Sequence, residues 1–301
     1  MAYAPSRAAW LECQGAKRSP SRSAPAVQVR IHNARSRGPS PDHVSLFPAN
    51  LVIDVEKLTK SYGDFEAVRG LSFTVAPGEV LGLVGPNGAG KTTTLRSIAG
   101  IIVPTSGTVR VGGYDMATAP ERAKALLAFI PDEPQLFEHL TVEEHLRFIG
   151  RLYGVADAPA RIEPLLVEME LLEKRGALPA ALSRGMRQKL AIACGLLHTP
   201  SALLLDEPLT GLDPAGMRRM KSTIAARARA DAAVVLSSHL LHLVEELCTR
   251  LLVMQRGRVI ALGTLAEIVA ERPDLSGRAL EDVFLALIDE GERDESRSAP
   301  A

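Results

Sequence analysis

A glycine-rich run at residues 85–92 combines the residue types that bind a phosphate chain. It fits the pattern G-x-x-x-x-G-K-[ST], with an apolar run before it and a helical pattern after it. Glycines let backbone N–H groups close around phosphate oxygens, and the helix start adds its positive dipole. Lys91 would neutralise β- and γ-phosphate oxygens, and Thr92 would offer its hydroxyl to Mg²⁺. The candidate phosphate-binding residues are Gly85, Pro86, Asn87, Gly88, Ala89, Gly90, Lys91, Thr92 and Thr93.

Two adjacent carboxylates end a second apolar run and supply the other half of the chemistry. The run Ala202–Leu205 is followed directly by Asp206 and Glu207. At the end of a buried strand, Asp206 is suited to hold Mg²⁺ together with Thr92, and Glu207 is suited to polarise an attacking water. An Asp-Glu pair can also end a strand without any chemistry. Beside a phosphate-binding loop, however, it predicts phosphoryl transfer, which depends chiefly on positioning and charge neutralisation.

Alternating strand and helix patterns supply the framework for these residues. Val80–Val84 is a short apolar run of the kind that fills a parallel sheet, and the phosphate-binding loop follows it. Similar strand-like runs recur around Phe129, at Ala202–Leu205, at Val234–Leu236 and at Leu251–Met254, with helical stretches between them. This alternation predicts an α/β fold with a mainly parallel sheet, as in a P-loop NTPase core.

Two regions depart from that alternation. Before the loop, Val52–Glu56 and Leu71–Val75 alternate between apolar and polar residues, as in a half-buried antiparallel sheet. Between about 140 and 198 helical patterns dominate, and they begin at Thr141–Glu144, whose Thr and Glu have capping-box spacing. We therefore expect an antiparallel β subdomain and a helical insertion beside the parallel sheet.

Composition sets the expected limits of the folded domain. Residues 1–50 are rich in Ser, Pro, Arg and Ala without hydrophobic periodicity, which predicts a disordered extension. Their Arg-rich, acid-poor character also fits an organellar targeting peptide, and a mis-assigned start is a further alternative. The folded domain is predicted over 51–290, with an amphipathic helix at Leu280–Leu287 near its end, and 291–301 as a disordered tail.

Charge, cysteines and hydropathy narrow the classes of partner. The formal charge of the 301-residue chain is zero, and the first fifty positions carry seven basic residues against two acidic ones. The remainder is therefore mildly acidic, which argues against nucleic acid as a partner. The three cysteines, Cys13, Cys194 and Cys248, have no metal-ligand spacing and favour a reduced, cytosolic protein. No apolar run reaches the roughly 18–20 residues that cross a bilayer, so membrane association would come through a partner.

Several shorter motifs resemble those of the ABC ATPases. The run Leu182–Met186 (LSRGM) resembles the family's signature motif, usually LSGGQ, and it lies shortly before the strand that ends in Asp206. Asp213 resembles the D-loop aspartate, and His239 resembles the switch histidine. Tyr62 resembles the aromatic residue that stacks on adenine. The resemblance covers about residues 52–261.

The resemblance implies a mechanism and a set of partners. Members of the family form head-to-tail dimers that bury two ATP molecules, each between the P-loop of one subunit and the signature motif of the other. Ser183 and Gly185 would then reach a γ-phosphate, with Asp213 at the same interface. Glu207 and His239 would be the catalytic residues, and ATP with Mg²⁺ the cofactors. The partners would be a second ATPase subunit, in a homodimer or a heterodimer, and a transmembrane permease.

Two motifs depart from the family's pattern. The signature carries Arg184 and Met186 where Gly and Gln are usual, although its serine and second glycine are kept. In the Q-loop, Asp132 follows Pro131 where the family has a glutamine, and Gln135 lies three residues further on. A carboxylate at Asp132 could approach Mg²⁺ through water, so Asp132 is assigned to the nucleotide and metal site, with Gln135 as the alternative.

The resemblance favours an ATP-hydrolysing subunit of an ABC exporter. The Arg-Gly-Met of the signature, the Asp-Glu-Pro at 132–134 and Leu280–Phe284 are similar to exporter ATPases rather than importer ATPases. The expected location is the cytoplasm, on the inner face of the membrane through the permease. A soluble ABC-type ATPase acting on the ribosome or nucleic acid is the main alternative, and an ATP binder without turnover is another.

Overall fold

The computed structural model describes residues 51–272, 275 and 277–298, with side chains described as far as residue 290. The predicted extension at 1–50 lies outside the described residues. Within these described ranges, ten strands form two sheets, and helices pack around them. The strands are β1 (Ile53–Tyr62), β2 (Phe65–Val75), β3 (Val80–Val84), β4 (Ser106–Val111), β5 (Tyr114–Asp115), β6 (Leu127–Ile130), β7 (Ala202–Asp206), β8 (Ala233–Ser237), β9 (Arg250–Gln255) and β10 (Arg258–Gly263).

The larger sheet has six strands in the order β10-β9-β3-β8-β7-β6. Its strands pair in parallel except at β10, which pairs antiparallel to β9. Every residue of β3, β7 and β8 is buried, as expected for strands covered on both faces. The parallel sheet predicted from the short apolar runs is confirmed, and β3 lies beside β8, with β7 next.

The smaller sheet is antiparallel, with the order β2-β1-β4-β5. Apolar side chains alternate toward one buried face, where Ile53, Val55, Leu71 and Phe73 join the core beneath the larger sheet. The antiparallel pair β1–β2 is confirmed. The sequence analysis missed β4 and β5, because a short strand beginning Ser106-Gly107 carries a weak apolar alternation.

Nine α-helices occur among the described residues. They are α1 (Lys91–Ile98), α2 (Pro120–Ala125), α3 (Val142–Leu152), α4 (Ala158–Glu168), α5 (Arg184–Leu196), α6 (Pro214–Arg229), α7 (Leu241–Leu247), α8 (Leu265–Ala270) and α9 (Leu280–Ser298), with 3₁₀ turns at Leu172–Lys174 and Pro179–Ala181.

Helices α3, α4 and α5 occupy the region between about 140 and 198 for which a helical insertion is predicted. The capping box at the start of α3 is confirmed. The Thr141 hydroxyl accepts from the Glu144 N–H, and the Glu144 carboxylate accepts from the Thr141 N–H at 2.8 Å. Apolar side chains of the three helices join one core with β6, β7 and β8. The insertion therefore packs on the edge of the sheet that ends at β6.

The last helix is longer than the sequence analysis expected. Helix α9 continues to Ser298, and 299–301 lie outside the described residues, so the disordered tail at 291–301 stays a prediction. A helix already packed through Val283 and Leu287 extends without a new nucleation cost, and Glu and Arg favour helix. Among the described residues, no helix is both long and apolar enough to cross a membrane.

Candidate nucleotide-binding site

The loop between β3 and α1 has a backbone that only glycine allows at key points. Gly90 caps α1 with φ 103°, a left-handed conformation that costs other residues strain. A Cβ at Gly90 would lie 2.4 Å from the Ala67 carbonyl oxygen, and one at Gly85 would lie 2.3 Å from the Met254 carbonyl oxygen. At both glycines the loop therefore lies against neighbouring backbone and leaves no room for a side chain. Helix α1 begins directly at Lys91, as the phosphate-loop pattern predicts.

Lys91 folds back across this loop. Its Nζ donates to the Gly85 carbonyl at 2.7 Å and to the Pro86 carbonyl at 3.1 Å. Burial lowers the pKa of the ammonium, while the charges of Glu207 and Asp206 oppose that shift. The Lys91 ammonium is held by two neutral carbonyls beside two carboxylates. An anionic ligand such as a phosphate chain would therefore stabilise its charge.

The two carboxylates stand at the end of β7. Asp206 is 3% exposed, and its Oδ1 accepts a hydrogen bond of 2.5 Å from the Ser237 hydroxyl at the end of β8. Glu207 has φ 49°, and its N–H donates to the Ser237 carbonyl at 3.1 Å. The left-handed turn at Glu207 therefore points its side chain in a different direction from that of Asp206, which stays buried. The sequence analysis missed Ser237, whose role depends on the pairing of β7 with β8.

His239 lies against Glu207. Its Nδ1 is 2.8 Å from the Glu207 Oε2, and since an ionised carboxylate can only accept, this nitrogen carries the proton. That contact leaves Nε2 free to act as an acceptor or to take up a proton. The histidine predicted to serve catalysis therefore contacts the carboxylate that is predicted to polarise the attacking water.

A cavity of about 350 Å³ joins these elements. Its walls combine the loop, both carboxylates and two residues of β2. Oxygen donors of Thr92 and Asp206 share the cavity, and only one Asp206 oxygen accepts from Ser237, so this donor set fits Mg²⁺. The predicted residues that line it are Asn87, Gly88, Ala89, Gly90, Lys91, Thr92, Thr93, Asp132, Asp206 and Glu207.

Other predicted residues lie outside that lining. Ser183 caps α5, where its hydroxyl accepts from the Met186 N–H at 3.2 Å. A Cβ at Gly185 would lie 2.9 Å from the Gly211 carbonyl oxygen, so the signature packs on the turn before Asp213. Asp213 caps α6 by accepting from the Gly216 N–H at 3.0 Å. These three residues mark helix starts beside one another, away from the cavity wall.

An aromatic pair stands at the β1–β2 hairpin. Tyr62 and Phe65 are cross-strand partners on either side of the turn. The Lys60 ammonium lies 5.0 Å from the centre of the Tyr62 ring, while Phe65, 63% exposed, lines the cavity with Ala67. Adenine stacking by Tyr62 stays a prediction, and the sequence analysis did not consider Phe65. An aromatic residue three positions after Tyr62, across a Gly-Asp turn, was the available signal.

Asp132 borders the cavity from the segment after β6. Its Oδ1 accepts from the Arg184 Nη2 at 3.2 Å, which joins the Q-loop position to the signature. Both Asp132 and Gln135 also line a groove, but only Asp132 reaches the nucleotide cavity. Of the two Q-loop candidates, the structure brings Asp132 to the site.

That groove has a volume of about 700 Å³ and runs from the cavity across the helical region. Its aromatic residues contact one another. Phe137 and Phe148 meet edge to face at 5.2 Å between ring centres, and both are exposed. Tyr153 stacks on His198 at 3.9 Å, and burial lowers the pKa of His198. Thr92 and Asp206 stand at the nucleotide end of the same groove.

Together, a glycine-shaped loop, an adjacent lysine and strand-end carboxylates on a parallel sheet define a P-loop ATPase. The ABC transporter family model matches residues 68–210. The ABC-type transporter ATP-binding protein EcsA of Bacillus subtilis is 34% identical over 241 residues, which cover 79% of this chain and 97% of EcsA. The Nod factor export ATP-binding protein I of Paraburkholderia xenovorans is 40% identical over 220 residues, covering 72% of each chain.

The fold comparison gives the same family. A solved ATP-binding subunit of an ABC transporter has 35% identity and a TM-score of 0.75, and the match covers 78% of this chain and 99% of that structure. This chain therefore belongs to the ABC transporter family, as an ATP-binding subunit that hydrolyses ATP. The predicted family and fold class are confirmed, and the comparisons favour a transporter subunit over a soluble ABC-type ATPase.

Proposed function

We propose that this chain drives export through a separate membrane-spanning permease by hydrolysing Mg²⁺-bound ATP between two ATPase subunits. The observation that carries the proposal is the continuity between the nucleotide cavity and the aromatic groove. Asp132 lines both the cavity and the groove, so this residue connects the phosphate site with the exposed surface.

ATP would bind with its phosphates in the loop at 85–92. The backbone N–H groups and the start of α1 supply donors and positive dipole, and Lys91 would exchange its two carbonyl contacts for β- and γ-phosphate oxygens. Bound Mg²⁺ would neutralise the charge that develops on the phosphates. Thr92 and Asp206 would hold it, with Asp132 reaching it through water.

Glu207 would position the attacking water. Its backbone turn directs the carboxylate away from the buried Asp206, and His239 fixes one of its oxygens. The other oxygen can accept from a water aimed at the γ-phosphate. With a second proton on its Nε2, His239 would donate a hydrogen bond to a γ-phosphate oxygen, so that the pair aligns water and phosphate together.

A second subunit would complete each site. The start of α5 offers Ser183 with the backbone at Gly185 as further donors. A copy of this chain, or a related ATPase, would present those donors to the γ-phosphate, with Asp213 at the same interface. ATP would hold the pair together and hydrolysis would release it.

The permease would occupy the aromatic groove. Relatives carry names of export systems: besides the Nod factor protein, they include the probable multidrug protein YbhF of Escherichia coli, 35% identical over 257 residues, and the linearmycin resistance protein LnrL of Bacillus subtilis, 34% identical over 219 residues. The exposed rings of Phe137 and Phe148 suit an apolar helix end. A permease bound in this groove would hold the protein at the inner face of the membrane, and the proposal includes no nucleic acid as a partner.

Site-specific photocrosslinking in the native host tests the partner. A photoreactive phenylalanine analogue replaces Phe148 in the groove, and a matched control carries it at Leu285 on α9, which is also exposed. We expect the Phe148 probe to join one polytopic membrane protein and the Leu285 probe not to do so. Crosslinks from Phe148 to ribosomal proteins alone would contradict the proposal.

The direction of transport needs its own measurement. Host cells carrying the wild-type chain or Glu207→Gln are loaded with a panel of fluorescent amphiphilic compounds. Export predicts that at least one compound is retained more strongly in the variant. Import predicts the reverse, a lower uptake in the variant, and that result would overturn the exporter assignment.

A further inference from the structure

Arg184 and Asp132, two of the three positions at which this sequence departs from its family's motifs, contact each other. Arg184, the first residue of α5, donates to Asp132, which lies 52 positions earlier in the segment after β6, at 3.2 Å. The family pattern has a neutral glutamine and a glycine at these places. Here an acid and a base replace them together, so the two substitutions compensate each other in charge and in space.

The surroundings hold Arg184 in this orientation. Its side chain lies along Gly211, where a Cβ would be 3.1 Å from the Arg184 Cδ. One turn further along α5, the buried Gln188 donates to the Pro131 carbonyl at 3.5 Å, a long contact on the same face. Helix α5 therefore lies over the segment that carries Asp132, and the turn that follows Glu207 supports it from the other side.

Charge explains why the arginine matters to the nucleotide site. Asp132, Asp206 and Glu207 all line the cavity, with Lys91 as the cation among its lining residues. A third carboxylate turned freely toward the phosphates would repel them. Arg184 takes one oxygen of Asp132, and a carboxylate has a second oxygen that can accept from a water on a bound cation.

We propose that Arg184 is a positioning residue for the nucleotide site: it neutralises Asp132 and fixes its carboxylate so that the free oxygen faces the Mg²⁺ of bound ATP. This inference rests on the proposed function of the cavity. The ion pair is half exposed, with side-chain exposures of 51% for Arg184 and 44% for Asp132, so it contributes little to folding stability. Its effect should appear in Mg²⁺-dependent nucleotide binding.

A double-mutant cycle on the full chain tests this. The variants are Arg184→Gly, Asp132→Gln, the double variant and Arg184→Lys, and the readout is the Mg²⁺ concentration that half-saturates binding of a fluorescent ATP analogue. We expect Arg184→Gly alone to raise that concentration about three- to tenfold. In the Asp132→Gln background the same change should have less than about a twofold effect, and Arg184→Lys should restore part of the loss.

Thermal unfolding of each variant separates positioning from folding, and all midpoints should agree closely. Equal effects of Arg184→Gly in both backgrounds would overturn the inference, as would a loss that follows the unfolding midpoint. Lys91→Ala is the control for the site itself. If that variant binds the ATP analogue as the wild type does, the proposed nucleotide site fails, which is a different outcome from an additive cycle.

Discussion

Two segments border the same cavity and are built by different means. The loop at 85–92 is fixed by backbone, since a side chain at Gly85 or Gly90 would meet a carbonyl oxygen. The segment 131–137 has exposed residues and is tied to α5 by the Asp132–Arg184 pair and one long Gln188 contact. The first segment cannot vary without losing its shape, whereas the second can exchange residues if their partners change too.

This difference separates binding from coupling. In the proposed function, nucleotide chemistry depends on the loop at 85–92 and on Asp206, which is buried at the end of β7. Communication with the permease would depend on the segment that borders the groove. Substitutions in the loop or at Asp206 should therefore abolish ATP binding or lower the free energy of unfolding. Substitutions in the segment 131–137 should instead change how the nucleotide site responds to Mg²⁺ or to the partner protein.

The largest effect is expected for Lys91→Ala. Loss of charge-assisted contacts to the phosphates, about 3 kcal/mol, should weaken ATP binding roughly 100-fold. Isothermal titration measures it. Lys124→Ala, which loses an exposed contact to the Gly100 carbonyl, is the control and should bind normally. If the two variants bound ATP with equal affinity, the loop at 85–92 would not be the phosphate-binding site.

Gly90→Ala tests whether backbone fixes the loop. The new Cβ would meet the Ala67 carbonyl oxygen at 2.4 Å in a left-handed conformation, whereas at Gly154, also left-handed, a Cβ would meet no atom within 4 Å. We expect Gly90→Ala to lower the free energy of unfolding by about 3 kcal/mol and Gly154→Ala by about 1 kcal/mol. Denaturant titration compares them, and the reverse order would contradict the packing argument.

The aromatic pair at the hairpin allows a finer comparison. Phe65 lines the cavity, so Phe65→Ala should weaken ATP binding about tenfold through lost stacking on the base. Inorganic tripolyphosphate, which has no base, should bind unchanged. Tyr62→Ala is the matched variant, and a loss for Tyr62→Ala with none for Phe65→Ala would return the stacking role to the residue assigned from sequence.

The smallest effect concerns the groove beneath the second segment. Burial raises the pKa of Cys194, in its wall, to about 12, and the pKa of Cys248 likewise to about 12. At pH 8 the reactive thiolate form is therefore scarce, so iodoacetamide should leave both thiols unmodified in the native protein. Peptide mass spectrometry after brief alkylation checks this, and rapid modification of Cys194 would mean that the groove wall opens.

The sequence predicted what depends on local order. The phosphate loop, the strand before it and the capping box at Thr141 follow from residue types a few positions apart. What it missed depends on pairing across the fold. Ser237 reaches Asp206 only because β7 lies beside β8, and Arg184 meets Asp132 only because α5 packs over the segment after β6. No spacing in a single chain indicates such contacts.

Steady-state ATP hydrolysis by the wild type and Glu207→Gln, with nucleotide affinity measured on the same samples, shows whether Glu207 serves turnover rather than binding. Glu246→Gln, which changes an exposed glutamate paired with Lys221, is the control. We expect Glu207→Gln to lower kcat by about 100-fold or more, while ATP affinity and the control variant stay close to wild type. Hydrolysis by Glu207→Gln at the wild-type rate would contradict the role assigned to this carboxylate.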